Sequence, residues 1–161
     1  LFHATKPFLA AAEQQKQSKW VNRVSDTLAG KTLGILGLGA IGLELAKKAV
    51  ALEMRIIGTK KTPGALPNVE KAYAPAQIDE VLAQSDFVVL LLPLTPETEN
   101  LMDAARFAKM KPTAWFINFG RGASVVDADL IAAVKAKRIA GAILDVFRKE
   151  PLPADDPFWT T

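Results

Sequence analysis

The sequence predicts an α/β fold in which a doubly wound parallel sheet is covered by helices on both faces. Three observations lead to this prediction. Short apolar runs bounded by glycine, proline or polar residues recur along the chain, as is typical of strands buried on both faces. Stretches with helical periodicity separate these runs, and regular strand–helix alternation indicates parallel pairing. A glycine-rich turn follows the first run and opens the first of these helices.

Five runs have the length of buried strands: LGIL at 33–36, MRIIG at 54–58, FVVLLL at 87–92, AWFIN at 114–118 and GAILDVF at 141–147. The helical patterns between them cover residues 41–52, 75–84, 103–110 and 127–138. Asp103 and Asp127 stand where the last two patterns begin, so both are predicted N-caps. Residues 5–20 are polar and rich in glutamine with an apolar stripe, which predicts a helix outside the sheet.

The composition excludes several classes of protein. The 161 residues fit one domain with its own core. The sequence has no cysteine, which excludes disulfides and thiolate metal sites and fits a reducing compartment such as the cytoplasm. The net charge is +3, but the basic residues are scattered, which predicts a solvated surface and no nucleic-acid partner. The longest apolar run, residues 87–93, is too short to span a membrane.

The glycine-rich turn has the spacing of a dinucleotide-binding motif. Gly37, Gly39 and Gly42 form G-x-G-x-x-G between a predicted strand and a predicted helix. The first glycine permits a tight turn, the second lets the backbone approach a pyrophosphate, and the third lets the helix pack closely on the strand. The phosphates then lie at the helix N-terminus, where free N–H groups and the helix dipole favour negative charge. A turn that only packs is the alternative, but its position between strand and helix favours nucleotide binding.

Four blocks of the sequence resemble the D-isomer-specific 2-hydroxyacid dehydrogenases in order and spacing. They are KTLGILGLGAIG at 31–42, SDFVVLLLPLTPET at 85–98, KPTAWFINFGRGASVVD at 111–127 and AGAILDVFRKEPLPADDPFW at 140–159. The resemblance covers nearly the whole chain and implies a Rossmann-type sheet that binds NAD or NADP. The family includes glyoxylate and hydroxypyruvate reductases, phosphoglycerate dehydrogenases, D-lactate dehydrogenases and a formate dehydrogenase branch.

The resemblance implies roles for two charged residues. Arg121 of NFGRG matches the arginine that holds the substrate carboxylate and polarises its carbonyl, a task suited to a planar guanidinium. Glu150 of LDVFRKEPLP matches the acid that orients the catalytic histidine and raises the histidine pKa, so that this side chain can protonate the carbonyl oxygen. The structural alternatives are a surface turn residue for Arg121 and an exposed charge in a proline-rich loop for Glu150.

The resemblance also implies cofactor contacts. Asp145 matches an aspartate that hydrogen-bonds the nicotinamide amide, and an acid that closes a buried apolar strand is costly unless it is paired. The remaining implied contacts are Phe119 and Gly120 at the nicotinamide end, Leu92 and Pro93 on the adenosine side, and Ala40 and Ile41 at the pyrophosphate.

The residues after the second predicted strand bear on the choice of cofactor. NAD sites carry an acid about twenty residues beyond the glycine motif, where it accepts hydrogen bonds from the ribose 2′-hydroxyl. Here Lys60 lies eighteen residues beyond Gly42, between Thr59 and Lys61. Cations and hydroxyls at this place suit a 2′-phosphate, so we predict a preference for NADP(H) over NAD and a role as a 2-oxoacid reductase. If these lysines are ordinary loop charges, the site takes NAD.

The family's catalytic histidine has no match in the sequence. The single histidine, His3, belongs to no catalytic motif and is interpreted as a hinge or surface residue. We therefore expect a cofactor-binding domain at residues 21–150, preceded by an interdomain helix at 1–20 and followed at 151–161 by a return toward a substrate domain. The fragment is expected to bind cofactor without turnover, and the whole protein to form a homodimer, as relatives commonly do.

Two alternatives to a 2-oxoacid reductase remain open at this point. One is an NAD-dependent phosphoglycerate dehydrogenase, which the lysine at position 60 disfavours. The other is a dinucleotide-sensing protein similar to the C-terminal-binding co-repressors of the same family. No metal site is predicted.

Overall fold

A computed structural model describes residues 1–22 and 24–161 of the chain. The strands are β1 (Thr32–Leu36), β2 (Arg55–Thr59), β3 (Lys71–Tyr73), β4 (Phe87–Leu90), β5 (Trp115–Asn118) and β6 (Gly141–Leu144). All neighbouring strands pair in parallel, and their order is β3-β2-β1-β4-β5-β6. The predicted doubly wound parallel sheet is confirmed.

Helices cover both faces of this sheet. They are α1 (Phe2–Thr5), α3 (Ala40–Val50), α4 (Ile78–Gln84), α5 (Ala104–Phe107) and α6 (Asp127–Lys135), while a further helix, α2 (Phe8–Lys16), has no buried residue. Successive strand residues point to opposite faces, so Leu33 and Ile35 of β1 join the core beneath α3, whereas Leu36 joins the core beneath α4, α5 and α6. The sheet therefore separates two apolar cores.

A short third strand was not predicted. β3 has three residues, KAY, and pairs only with β2, so it forms one edge of the sheet. A bidentate ion pair supports this edge, because Arg55 Nε and Nη2 donate to the two carboxylate oxygens of Glu70 at 2.7 and 2.8 Å. A sheet of six strands replaces the five runs expected from the sequence.

Two predicted helix starts have different outcomes. Asp103 is the N-cap of α5, where its carboxylate accepts from Arg106 N–H at 2.9 Å, as predicted. The prediction for Asp127 is wrong, because this residue is the first of α6 and the N-cap is Val126. Val126 has no side-chain oxygen to accept a hydrogen bond, so α6 begins without a side-chain cap.

The N-terminal segment contains two short helices where one was expected over residues 5–20. Lys6 is extended before Pro7, because proline disfavours a helical residue ahead of it. α1 lies on the sheet, with Ala4 against the core beneath α3 and Thr5 buried. α2 has no buried residue, which fits the expectation of a helix outside the sheet.

The parallel sheet places all the predicted site residues at one edge. Gly37 follows β1, Lys60 follows β2, Leu92 follows β4, Phe119 follows β5 and Asp145 follows β6. The chain turns outward in opposite directions from the neighbouring strands β1 and β4, and a crevice at such a switch point is where open α/β sheets bind ligands.

Candidate functional site: the carboxyl edge of the sheet

The three glycines of the motif after β1 differ in why glycine stands at each position. Gly37 has φ +114°, a conformation that other residues rarely adopt. A side chain at Gly42 would collide with the carbonyl oxygen of Gly37, so this glycine lets α3 pack against the loop. At Gly39, which has φ −87°, an added Cβ would meet nothing within 4 Å. The protein itself therefore does not require glycine at position 39, and the open space suits a closely approaching ligand.

The N-terminus of α3 faces this open space. Gly39 is the N-cap, without a side-chain hydrogen bond, and Ala40 and Ile41 are exposed in the first turn. The first N–H groups of a helix have no partner within it, and α3 has eleven residues to align its dipole. The empty space at Gly39 and the free amides fit the pyrophosphate of a dinucleotide.

Lys60 lies directly against the glycine loop. Its ammonium Nζ donates to the carbonyl oxygen of Leu38 at 2.8 Å, and its backbone N–H donates to the carbonyl oxygen of Tyr73 at 2.9 Å. Both bonds fix a positive charge between the carboxyl end of β2 and the loop. Lys61 is exposed beside it, whereas Thr59 is only 3% exposed and closes β2.

The loop after β4 forms the opposite side of the crevice. Leu92 is partly buried, while Pro93 is exposed. Thr98 Oγ1 donates to the carbonyl oxygen of Pro93 at 2.6 Å, which fixes the turn of the loop. An added Cβ at Gly120 would lie 2.8 Å from the Leu92 carbonyl oxygen, so the loops after β4 and β5 are in close contact.

A buried asparagine, which sequence reasoning missed, organises the loop after β5. Asn118 accepts from Gly120 N–H at 2.9 Å and donates from Nδ2 to the carbonyl oxygen of Arg121 at 3.1 Å. Phe119 is 51% exposed, and Arg121 is exposed with Nη1 2.8 Å from the Gly120 carbonyl oxygen. The signal for Asn118 was a polar residue that closes a buried apolar run.

The loop after β6 carries the two remaining predicted residues. The Asp145 backbone N–H donates to the carbonyl oxygen of Asn118 at 3.1 Å, but Asp145 is exposed. The prediction that Asp145 is buried and must be paired is therefore wrong, since solvent can hydrate the carboxylate. Glu150 is also exposed, and its Oε1 accepts from Phe147 N–H at 2.8 Å, which ties the acid into its own turn.

Charge at this edge also involves Asp127. Burial raises the pKa of the Asp127 carboxyl above its ordinary value, and Asp156 adds to this shift while Arg148 opposes it. The Arg148 Nε lies 3.9 Å from Asp127 Oδ2. Arg148 therefore stabilises the ionised form of a carboxylate that would otherwise hold its proton more tightly.

His3 lies at the opposite edge of the sheet. Its ring contacts Trp115, the first residue of β5, edge to face with a centroid distance of 6.4 Å. Arg121 follows the other end of the same strand, so His3 is not part of the site. Among residues 1–22 and 24–161, no group of acids and histidine is arranged to hold a metal ion. Within the same ranges no helix is long and apolar enough to cross a bilayer.

Comparison with known proteins identifies the family to which the chain belongs. Residues 1–161 match the family described as D-isomer specific 2-hydroxyacid dehydrogenase, NAD binding domain. The chain is 44% identical over 154 residues to glyoxylate/hydroxypyruvate reductase B of Citrobacter koseri, which covers 91% of this chain and 47% of that protein. The chain thus spans about half the length of the curated relatives it matches.

Solved structures give the same result. The D-isomer specific 2-hydroxyacid dehydrogenase from Xanthobacter autotrophicus Py2, in complex with NADPH and MES, has a TM-score of 0.89 at 38% identity, over 99% of this chain and 50% of that one. The NADPH-dependent glyoxylate/hydroxypyruvate reductase from Sinorhizobium meliloti, in complex with NADP and sulfate, has a TM-score of 0.86 at 36% identity, over 94% of this chain and 49% of that one.

Proposed function

Because the chain belongs to the D-isomer specific 2-hydroxyacid dehydrogenases, whose NAD-binding domain it matches over residues 1–161, we propose that it is the cofactor domain of an NADPH-dependent 2-oxoacid reductase. In this reaction NADPH would supply the hydride for the carbonyl carbon and a proton would be added to the carbonyl oxygen, so that the products would be NADP⁺ and a 2-hydroxyacid, the D enantiomer where the carbon becomes a stereocentre. Glyoxylate and hydroxypyruvate are the proposed substrates, since they are named in the relatives from Citrobacter koseri and Sinorhizobium meliloti.

The observation that carries the cofactor preference is the position of Lys60. Its ammonium is held 2.8 Å from the Leu38 carbonyl oxygen, beside the glycine loop, where its remaining N–H donors are available to an anion. An acid in this place would repel a 2′-phosphate, whereas a cation attracts it. Lys61 and Thr62 are exposed next in the chain and extend the proposed phosphate site, whereas Thr59 is buried at the end of β2, directly before Lys60.

The proposed roles of the other residues follow the edge of the sheet. The amides of Ala40 and Ile41 hold the pyrophosphate, with Gly37, Gly39 and Gly42 shaping the loop. On the far side, the residues proposed to contact the adenosine and nicotinamide portions are Leu92, Pro93, Phe119, Gly120 and Asp145.

Arg121 and Glu150 are the proposed catalytic residues. Arg121 is exposed after β5, and the N–H groups of its guanidinium beyond the one bonded to Gly120 would bind the substrate carboxylate and polarise the carbonyl. Glu150 is exposed after β6 and would orient a histidine supplied by another part of the protein, so that this histidine protonates the carbonyl oxygen.

Titration of the 161-residue chain with NADPH and NADH tests the cofactor assignment. We expect NADPH to bind at least tenfold more tightly, on the order of 1.4 kcal/mol, and Lys60→Asp to abolish the difference. The matched control is Lys109→Asp, which makes the same change in charge after α5 at the opposite edge of the sheet. Calorimetry gives both affinities directly.

Other outcomes would point elsewhere. Equal affinity for NADPH and NADH, or a preference for NADH, would show that Lys60 and Lys61 do not select the cofactor and would favour a phosphoglycerate-type dehydrogenase. Loss of preference in Lys109→Asp as well would indicate a general charge effect. Full-length protein that binds NADPH but reduces no 2-oxoacid would favour a dinucleotide-sensing role.

We further propose that residues 21–150 form the cofactor domain, with residues 1–20 as an interdomain segment and 151–161 as a return toward a substrate domain. A cytoplasmic homodimer is proposed for the whole protein. The absence of cysteine supports the compartment. Exposed apolar side chains near the N-terminus support self-association, since Trp20 is 93% and Val24 98% exposed.

A further inference from the structure

Arg148 connects the loop after β6 to three other segments. Its Nη2 donates to Asn100 Oδ1 at 2.6 Å and to the carbonyl oxygens of Ala123 and Val125 at 3.1 and 2.5 Å. Its Nε lies 3.9 Å from the Asp127 carboxylate at the start of α6. One guanidinium therefore joins the loops before α5 and after β5 to the loop after β6.

Two of these segments, the turn after β5 and the loop after β6, carry the proposed catalytic residues. The carbonyl groups of Ala123 and Val125 lie in and just after the helical turn Gly122–Ser124, which begins directly after Arg121. Arg148 itself lies between Phe147 and Glu150 in the chain. The Phe147 backbone N–H donates a hydrogen bond to the Glu150 carboxylate, which closes this turn. The two turns are also in steric contact, because a side chain at Gly122 would collide with the backbone of Phe147.

We propose that Arg148 is a positioning residue that sets the distance between Arg121 and Glu150, an inference that rests on the proposed reductase function. Arg148 does not reach the substrate in this assignment. It acts by holding the turn after Arg121 against the turn that contains Glu150. Steric contact at Gly122 prevents closer approach, and the hydrogen bonds of Arg148 prevent separation.

The geometry of this contact suits arginine, because Nη2 makes the three hydrogen bonds while Nε of the same rigid group faces Asp127. A guanidinium presents several N–H donors in a fixed plane, so it can bridge carbonyl groups of different segments at once. An ammonium keeps the charge near Asp127 but is a flexible point donor without the fork geometry. A misplacement of about 1 Å in a catalytic group can lower a rate about a hundredfold.

The test compares Arg148→Met and Arg148→Lys in the full-length protein with 2-oxoacid and NADPH. We expect Arg148→Met to lower kcat/KM for the 2-oxoacid by about ten- to a hundredfold, raise its KM, and shift the pH profile of kcat/KM. Arg148→Lys is expected to recover only part of the loss. The Kd of NADPH is expected to change less than kcat/KM, because the glycine loop and Lys60 are bonded to each other and to β2 rather than to this turn.

Lys149→Met is the matched control, since Lys149 is exposed and adjacent. A variant that only unfolds a fraction of the protein would lower kcat without moving KM or the pH profile. Unchanged KM and pH profile in Arg148→Met would therefore overturn the proposal, even with a lower melting temperature.

Amide hydrogen exchange on the 161-residue chain separates this inference from the proposed function. Faster exchange at residues 120–126 in Arg148→Met, but not in Lys149→Met, is the expected result. Unchanged exchange would overturn the positioning role. Failure of wild-type full-length protein to reduce any 2-oxoacid would instead overturn the reductase assignment on which the inference rests.

Discussion

At the scale of single residues, the structure explains two glycines of the motif after β1, whereas we propose that the third, Gly39, serves the ligand. Gly42 supports the fold because its missing side chain leaves room for the Gly37 carbonyl oxygen. Gly39 has ordinary backbone angles and open space beside it. The same sequence motif therefore combines two physical requirements that can be separated by mutation.

Alanine at position 39 should mainly weaken NADPH binding, whereas alanine at position 42 should mainly lower the free energy of unfolding. Gly39→Ala is expected to cost about 0.5–1 kcal/mol of unfolding free energy, because alanine is a poorer N-cap than glycine but its side chain meets no other atom here. Its added methyl group should nevertheless weaken NADPH binding at least tenfold. Gly42→Ala should destabilise the chain by about 1–3 kcal/mol, because the collision forces the backbone to move. Urea denaturation and calorimetry measure both quantities, and equal stability losses would contradict this division.

Residue-scale inference from the sequence succeeded where a motif fixes the backbone. The glycine spacing correctly predicted a turn at Gly37 and Gly39 after β1 and a helix that starts around Gly42, which lies in the first turn of α3. Asn118 was missed because its role depends on two backbone partners within its own turn, which periodicity does not reveal. The fixed contact of Lys60 with Leu38 was equally inaccessible, because it joins two loops 22 positions apart.

At the scale of elements, Asp86 joins the starting ends of neighbouring strands. Its carboxylate accepts from Thr32 N–H at 2.8 Å at the start of β1 and from Lys111 Nζ at 2.9 Å. Burial alone raises the pKa of Asp86, but the hydrogen bonds from Lys111 and Thr32, with the charge of Lys31, outweigh burial and lower the pKa below its ordinary value. The ionised carboxylate therefore stabilises the folded state.

The sign of this shift predicts how stability changes with pH. A carboxyl with a lowered pKa stabilises the fold above its unfolded pKa of about 4 and loses that contribution as pH falls through the folded value. Asp86→Asn should cost about 1–2 kcal/mol at pH 7, and its gap from wild type should narrow below about pH 4. Asp79→Asn, an exposed change on α4, is the control in urea denaturation. A gap that stays constant with pH would contradict the assignment.

The elements that the sequence predicted are those whose burial is strongest. β1 and β4 are buried at every residue, so their continuous apolar runs identified them. β3 escaped prediction because it is short, begins with an exposed lysine and lies at the sheet edge. The start of α6 was misplaced by one residue because Asp127 has the chemistry of a cap, while Val126 has the required backbone conformation.

At the scale of the whole molecule, the proposed cofactor contacts and the single histidine lie at opposite edges of the sheet. Every proposed cofactor contact lies at or near the carboxyl edge, on loops or on the first turn of α3. The one histidine of the sequence contacts Trp115 at the amino edge, one strand length from Arg121. The arrangement offers a binding surface for the dinucleotide but no imidazole near the proposed substrate carboxylate.

The 161-residue chain is therefore expected to bind NADPH without reducing glyoxylate or hydroxypyruvate at a measurable rate. General acid catalysis contributes about a hundred- to ten-thousandfold to rates of this kind, and a crevice open to water loses further stabilisation. Binding is measured by calorimetry and turnover by the absorbance of NADPH. His3→Ala should leave both results unchanged. Turnover by the isolated chain that is lost in His3→Ala would show that the amino edge takes part in the chemistry, and would overturn the placement of the active site at the carboxyl edge.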